Sequence, residues 1–355
     1  MSNINTEIID PNVASKFAQG AFDTIDATLP FSSILPNHAI NSLPDGMSGD
    51  GNMTVSWIPN QRHELGDNSK YRAWDAEVPY GKTVGGKTIK RTALMPLSSR
   101  VRISERDIVS LGMEATSVER IEERIGQGSI EVAVKLEKQR IQALTTGTIK
   151  IDENNVTNSL DFGRSKKLSA AAPAKLWSDA AAVLVIDVMN WAQLIVDNDG
   201  ARPRTMLITR KILTALMTNG TMIKYRYGAF TATTPAPSIT FGEVFGVFAG
   251  RTGISQIIVV DGLYDEFFTT QHFERQAMFP DDMVLLLPGT GDSGIGATVF
   301  GETAESRLGI IPESYGPFAC VQNGQGNVPN YEVYVTEAVL PILAKPDSTL
   351  AVTVL

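Results

Sequence analysis

Apolar residues recur at helical spacing through "TSVERIEERIGQGSIEVAVKLEKQRIQALTT", residues 116–146. At 100° per residue, Val118, Ile121, Ile125, Val132, Leu136 and Ala143 form one stripe. Ile130, Val134, Ile141 and Leu144 add a second stripe confined to the C-terminal half. The predicted helix therefore packs on one side first and between two surfaces later. Thr116 or Ser117 can cap its start, Glu119 sits three residues after Thr116, and Gly147 follows its end. At a rise of 1.5 Å per residue the helix is about 45 Å long. Arg120, Arg124, Glu131, Lys135 and Lys138 share the remaining face. Gly126 and Gly128 each cost about 1 kcal/mol relative to alanine inside a helix, so they mark a bend or a close contact.

Elsewhere the pattern changes period. Residues 71–104 read as long polar strands around one turn: "AEVPYGKTV" leads in, Gly85-Gly86 turns, and "KTIKRTALMPLSSRVRI" leads out. Two glycines between such segments signal a hairpin, because the turn favours φ > 0 at both positions. Lys82, Lys87, Lys90 and Arg91 crowd its tip, and a basic hairpin of this length cannot bury itself. Residues 1–60 are cut by Pro11, Pro30, Pro36, Pro44 and Pro59 and read as an extended arm. After a connector with "NNVTNSLDFGRSKK", an apolar helical segment is predicted at 178–198. "RTMLIT", "QIIVVDGLYD" and "DMVLLLP" read as strands, with helical pieces near 209–219 and 240–249. Together they predict a compact α/β-like unit over about 178–300. The tail "VYVTEAVLPILAKPDSTLAVTVL" is two apolar strands separated by "KPDS".

Composition narrows the class. The 355 residues are 43% hydrophobic and 20% charged, enough to bury a sizeable core. A net charge of −8 argues against a dedicated nucleic-acid binder. The single Cys320 rules out an internal disulfide and reads as a small buried apolar residue. His38, His63 and His272 are scattered, which disfavours a zinc site. The N-terminus lacks the basic-then-apolar pattern of a secretory signal, and the apolar runs at 182–189 and 283–287 are too short to span a bilayer. A soluble protein of the cytoplasm is expected.

Several stretches imitate catalytic motifs. "GKTVGGKT", residues 81–88, satisfies the phosphate-loop pattern through Gly81, Gly86, Lys87 and Thr88, and "IIVVD" ends in Asp261 as a Walker B strand would. A phosphate loop follows a buried apolar strand and opens a helix. Here "RAWDAEVPY" precedes it, charged and broken by Pro79, and Pro96 lies close behind. "PGTGDSGIG" satisfies G-x-G-x-x-G through Gly289, Gly291 and Gly294, but a strand-like, glycine-broken segment follows instead of a helix. Its Ser293 has no histidine in a matching motif, and the acidic "DGLYDE" reads as a solvated strand end.

No enzyme constellation survives, and the order of parts points elsewhere. The phrases "RIEERIGQGSIEVAVKLEKQRIQALTTGTIKI" then "DFGR", "FPDDMVLLLP", "LGIIPESYGPFACVQNGQGN" and the close "TEAVLPILAKPDSTLAVTVL" resemble the major capsid proteins of tailed bacteriophages. The likeness is to the Hong Kong 97 fold and its lambda-type capsid protein E group, over about residues 50–355. The resemblance implies an α+β fold. Its parts would be an N-terminal arm (1–60), an extended-loop hairpin (61–104), a peripheral domain (105–177) with a spine helix (116–146), an axial domain (178–325) and C-terminal strands of the peripheral domain (326–355).

It also implies a head protein that assembles as pentamers and hexamers into an icosahedral shell around phage double-stranded DNA, without catalytic, cofactor or metal residues. Its partners would be itself, a scaffolding protein, a portal, a decoration protein and DNA held by non-specific contact, with no membrane. It would sit in the virion capsid after assembly in the host bacterial cytoplasm. Lys82, Gly85, Gly86, Lys87, Lys90, Arg91, Arg120, Arg124, Glu131 and Lys135 are the candidate contacts between subunits. Some members of the fold cross-link a loop lysine to a neighbour's asparagine; Lys82, Lys87, Lys90, Asn323, Asn327 and Asn330 are present, but no local motif picks a pair. The fused scaffolding segment of the family is not expected, because the hairpin begins too near the N-terminus. Two rival readings are a P-loop NTPase using Gly81–Thr88 and Asp261, and an encapsulin-type shell protein.

Overall fold

The computed structural model describes residues 9–51, 53–60, 77, 88–112, 118–199, 201–228, 238–269, 272–289, 294–311, 315–324 and 330–355. Its spine is the 29-residue helix Val118–Thr146. Ile121, Ile125, Val132, Leu136 and Ala143 of the first stripe are buried, as are Ile141 and Leu144 of the second. Ile130, of the second stripe, stays 42% exposed because only one side is packed there, and Val118, the first residue of the helix, is 49% exposed. The two glycines separate cleanly. A Cβ at Gly128 would lie 2.9 Å from a methyl of Val335, whereas one at Gly126 would meet nothing within 4 Å. Gly128 is the close contact.

The helix lies on a five-stranded sheet organised by the 13-residue strand Tyr331–Leu343. Met95–Ile103 pairs antiparallel along residues 331–339 of that strand. On its other edge Phe318–Asn323 pairs with residues 331–336, and Gly296–Phe300 with residues 339–343. Asn37–Ala39 adds a parallel edge beside Gly296–Phe300. Side chains alternate between the faces of a strand, so Val333, Val335 and Val339 share the helix-facing side. They join Ile121, Ile125 and Leu136 in one apolar cluster.

A second sheet runs in the order Leu350–Thr353, Met283–Leu287, Thr205–Ile208, Gln256–Val259. The last two strands are parallel, and the chain between them passes through helices Arg210–Thr218, Gly220–Tyr227 and Phe241–Thr252. Strands buried on both faces read as continuous apolar runs, which is why "MVLLL" and "TMLI" were legible. Helix Leu184–Asp199 stacks Trp191 against Trp177 at 5.8 Å between ring centroids, within the core of this unit.

Three expectations are corrected. Residues 1–60 are not an extended arm throughout: Pro11–Asp26 is a helix, capped by Asp10 and started by Pro11, that buries Ala14, Ala18 and Phe22 against the spine cluster. The sheets also divide the chain differently from the boundary at 325/326. Gly296–Phe300 and Phe318–Asn323, expected in the axial domain, pair with Tyr331–Leu343. The final strand, expected with the peripheral domain, pairs with Met283–Leu286 in the other sheet. Finally, the connector after the spine helix is a hairpin, Thr148–Glu153 against Val156–Asp161, turned by Asn154 and Asn155 at φ 49° and 64°.

The glycine contrast is measurable. Gly126→Ala is expected to stabilise the subunit by up to about 1 kcal/mol, the helix-propensity gain. Gly128→Ala is expected to show no gain or a loss, because its methyl displaces Val335. Urea unfolding midpoints of the two variants against wild type check this.

Candidate functional site

The residues singled out as contacts fall into two groups. Lys82, Gly85, Gly86 and Lys87 lie outside the described residues. The others sit on the strand Lys90–Ala93 and on the spine helix and already contact their own chain. Lys90 and Arg91 belong to strand Lys90–Ala93, which pairs with Thr54–Trp57. The Lys90 ammonium donates to the Asp161 carbonyl, and Arg91 pairs with Asp50. On the spine helix Arg120 pairs with Glu123 at 2.8 Å and Arg124 donates to Gln127 at 3.1 Å. Glu131 accepts from Ser99, and Lys135 pairs with Glu153 on the following hairpin. Exposed pairs of this kind contribute little to stability, so they remain free to exchange partners.

The motif imitations lose their context. A strand, not a helix, follows Thr88, so the motif does not open a helix as a phosphate loop does. Arg210 grips Asp261 through Nε at 2.9 Å and Nη2 at 2.6 Å, making it one half of a surface ion pair. Gly294 is followed by strand Gly296–Phe300. Cys320 is buried, and burial pushes its thiol up to about 11, which keeps it protonated and unreactive. Among the described residues no group of three His, Cys, Asp or Glu side chains is placed to hold a metal ion, and no helix is long and apolar enough to cross a membrane.

Two of the phrases that carry the resemblance, distant in sequence, meet in space. Gly147, at φ 71°, ends the spine helix and leaves its last carbonyls without helical partners. Arg164 of "DFGR" supplies them: its Nη2 donates to Leu144 at 2.6 Å and its Nη1 to Thr145 at 2.8 Å. Nη2 also donates to the Thr349 hydroxyl at 2.7 Å. Asp347 of "KPDS" accepts from the Ser165 N–H at 2.6 Å and from Asn60 at 2.9 Å. Burial lowers Arg164 to about 10, while Asp347 opposes the shift. The clamp fastens the helix end, the hairpin base and the point where the chain crosses between sheets.

A second polar centre went unread. Arg140 is fully buried under the helix. Its Nη1 donates to Asp26 at 2.6 Å and Glu137 at 3.1 Å, its Nη2 to Asn37 at 2.6 Å, and its Nε to Thr298 at 3.0 Å. Glu137 also accepts from the Phe31 N–H at 2.8 Å. Arg140 thus ties the N-terminal helix, the spine, the first strand and Gly296–Phe300 together. Its sequence context, "KQRIQAL", is mostly polar. The only signal was its place one residue before Ile141, on the flank of the buried stripe.

Removing the Arg164 fork should be costly. Arg164→Ala leaves buried carbonyls and Asp347 without their cation, an expected loss of about 3 kcal/mol. Arg164→Lys should recover little of it, since an ammonium cannot fork across two carbonyls and a hydroxyl. Urea unfolding, with hydrogen exchange over residues 144–161, checks both.

No protein-family model matches the sequence, and no curated protein matches it. Solved structures do match. A protein assigned as the capsid protein of a prophage in E. coli CFT073 superimposes over 100% of both chains, with a TM-score of 0.59 at 12% identity. A phage-related protein from Bordetella bronchiseptica RB50 superimposes over 94% of this chain and 96% of that one, with a TM-score of 0.51 at 14% identity. At such identities the likeness is one of fold. The α+β fold expected from the sequence, that of a phage capsid protein, is the fold of this chain.

Proposed function

We propose that this chain is a major capsid protein, a structural subunit that assembles as pentamers and hexamers into an icosahedral shell around phage double-stranded DNA. The observation that carries the reading is the fold shared from end to end with the prophage protein. Surface chemistry supports it. Val109, Leu308 and Ile89 are 79%, 76% and 66% exposed, and Met53 and Leu263 are also more than half exposed. Large apolar side chains left in water around a subunit are what neighbouring copies would cover.

In this reading the basic segment with Lys82, Gly85, Gly86, Lys87, Lys90 and Arg91 overlaps an adjacent subunit. Arg120, Arg124, Glu131 and Lys135 exchange some of their internal partners for that neighbour's charges. The sheet holding Tyr331–Leu343, with the spine helix, forms the peripheral part, and the unit around Thr205–Ile208 forms the axial part. A scaffolding protein, a portal and a decoration protein complete the assembly in the host bacterial cytoplasm, and the product is the virion capsid. The net charge of −8 suits a container that releases its DNA. The role needs no catalysis and no cofactor.

The full chain, expressed alone and with its phage's scaffolding protein, is expected to give closed shells or pentamers and hexamers by negative-stain microscopy and light scattering. A monomer under every condition overturns the reading. Replacing Lys82 and Lys87 with Glu is expected to cut shell yield while far-UV circular dichroism stays unchanged, and high salt should reproduce that loss.

A further inference from the structure

Glu337 is the most anomalous side chain among the described residues. It lies in the middle of strand Tyr331–Leu343, is 1% exposed, and neither carboxyl oxygen has a hydrogen-bond partner. Alternation along the strand puts it with Val333, Val335 and Val339, facing the spine helix and the Arg140 centre. The guanidinium cannot serve it. Every Arg140 nitrogen already donates, to Asp26, Glu137, Asn37 or Thr298.

The charges around Glu337 can be assigned element by element. The spine helix brings Arg140 and Glu137, and the N-terminal helix brings Asp26. Thr298, which accepts from Arg140, is the contribution of Gly296–Phe300, and Leu97 is the cross-strand neighbour in Met95–Ile103. Glu302, Glu305 and Arg307 line a pocket to which Thr336, Glu337 and Ala338 also contribute, and there Glu302 pairs with Arg307. Three carboxyl groups therefore share one guanidinium in a dry interior. A charge there is tolerable only when paired.

We propose that Glu337 holds a proton that keeps Arg140 on Asp26, and that losing this proton in mildly alkaline solution releases the N-terminal helix: a proton-operated latch. The proton passes from the Glu337 carboxyl to solvent, and the new carboxylate then competes for a guanidinium with no spare donors. Asp26 is the partner that yields, for three reasons. Its second contact with Arg140 is already long, at 3.5 Å. Glu137 has the Phe31 N–H as an anchor independent of Arg140 and sits on the same helix, whereas the other side-chain anchor of Asp26, Asn37 at 2.9 Å, is itself held by Arg140. Asp26 ends a short helix otherwise held by Ala14, Ala18, Phe22 and the Ser15 contacts to Ala319. Supporting this, burial raises the Glu337 pKa to about 8, with Arg140 lowering it and Asp26 raising it. The sign follows directly. The folded state keeps a proton that the unfolded chain releases near the ordinary glutamate value. Stability is therefore full below that value and declines as pH rises through about 8.

The latch belongs to the single subunit and does not depend on shell assembly. Hydrogen exchange of the full chain, read by mass spectrometry and corrected for base catalysis, tests it. Between about pH 6 and pH 9.5, protection of residues 11–26 should fall about tenfold per pH unit up to the Glu337 value of about 8 and level off above it. Helix Leu184–Asp199 should show no such fall. Glu337→Gln should keep residues 11–26 protected across the range, and Asp26→Asn should expose them already at about pH 6. Infrared spectra of the wild type should carry a buried carboxylic-acid band at neutral pH that disappears on alkalisation and is missing from Glu337→Gln. Unchanged protection of residues 11–26 in alkaline wild type overturns the proposal. So does an equal loss in Glu337→Gln, or the absence of the acid band.

Discussion

The 29-residue spine helix presses closest on the central strand where it presents no side chain of its own. Gly128 against Val335 is that approach, and much of the subunit depends on it. With the helix seated there, Ile121 and Ile125 reach the strand on one side of the contact and Val132 and Leu136 on the other. The strand itself is shared by three pairing partners, so the position of the helix sets the position of the whole sheet. Burying four or five aliphatic side chains at about 1.5–3 kcal/mol each gives the seam a driving force that surface ion pairs do not approach.

Polar interactions then fix what apolar packing leaves loose. Hydrophobic contact is non-directional, and a helix could slide along its stripe by a turn. Arg140 and Arg164 prevent it from opposite directions. The first binds groups from the N-terminal helix, the first strand and Gly296–Phe300, and the second caps the helix terminus and holds the turn after Tyr331–Leu343. Each guanidinium offers a rigid fork of donors, which specifies one register.

The helix and the buried strands were legible because their burial is periodic or continuous. The helix stripe, "MVLLL" and "TMLI" each write their environment into consecutive residues. The N-terminal helix was missed although Asp10-Pro11 is a good cap and first-turn pair, because the prolines that follow read as a broken arm. Asn154-Asn155 was likewise a turn signal inside a stretch taken for connector. Arg140 and Glu337 were invisible for a different reason. A buried charge is licensed by partners more than a hundred residues away, and no local window contains Asp26, Asn37 and Thr298 together. The "DFGR" and "KPDS" phrases were noticed as family marks, and their physical task appeared only when Arg164 and Thr349 were seen side by side.

The crossing of the last strand has a temporal side. The sheet around Thr205–Ile208 receives Leu350–Thr353 as its edge, and the other sheet receives Tyr331–Leu343 at its centre. Strands 95–103, 296–300 and 318–323 all wait for that central strand. During synthesis, then, neither sheet can close while the ribosome still holds the residues beyond about 330. A nascent chain must carry unpaired strand edges until late, and those edges are the surfaces most prone to pair with the wrong copy. A fold wired this way becomes competent to meet its neighbours abruptly, once Tyr331–Leu343 and Leu350–Thr353 have emerged.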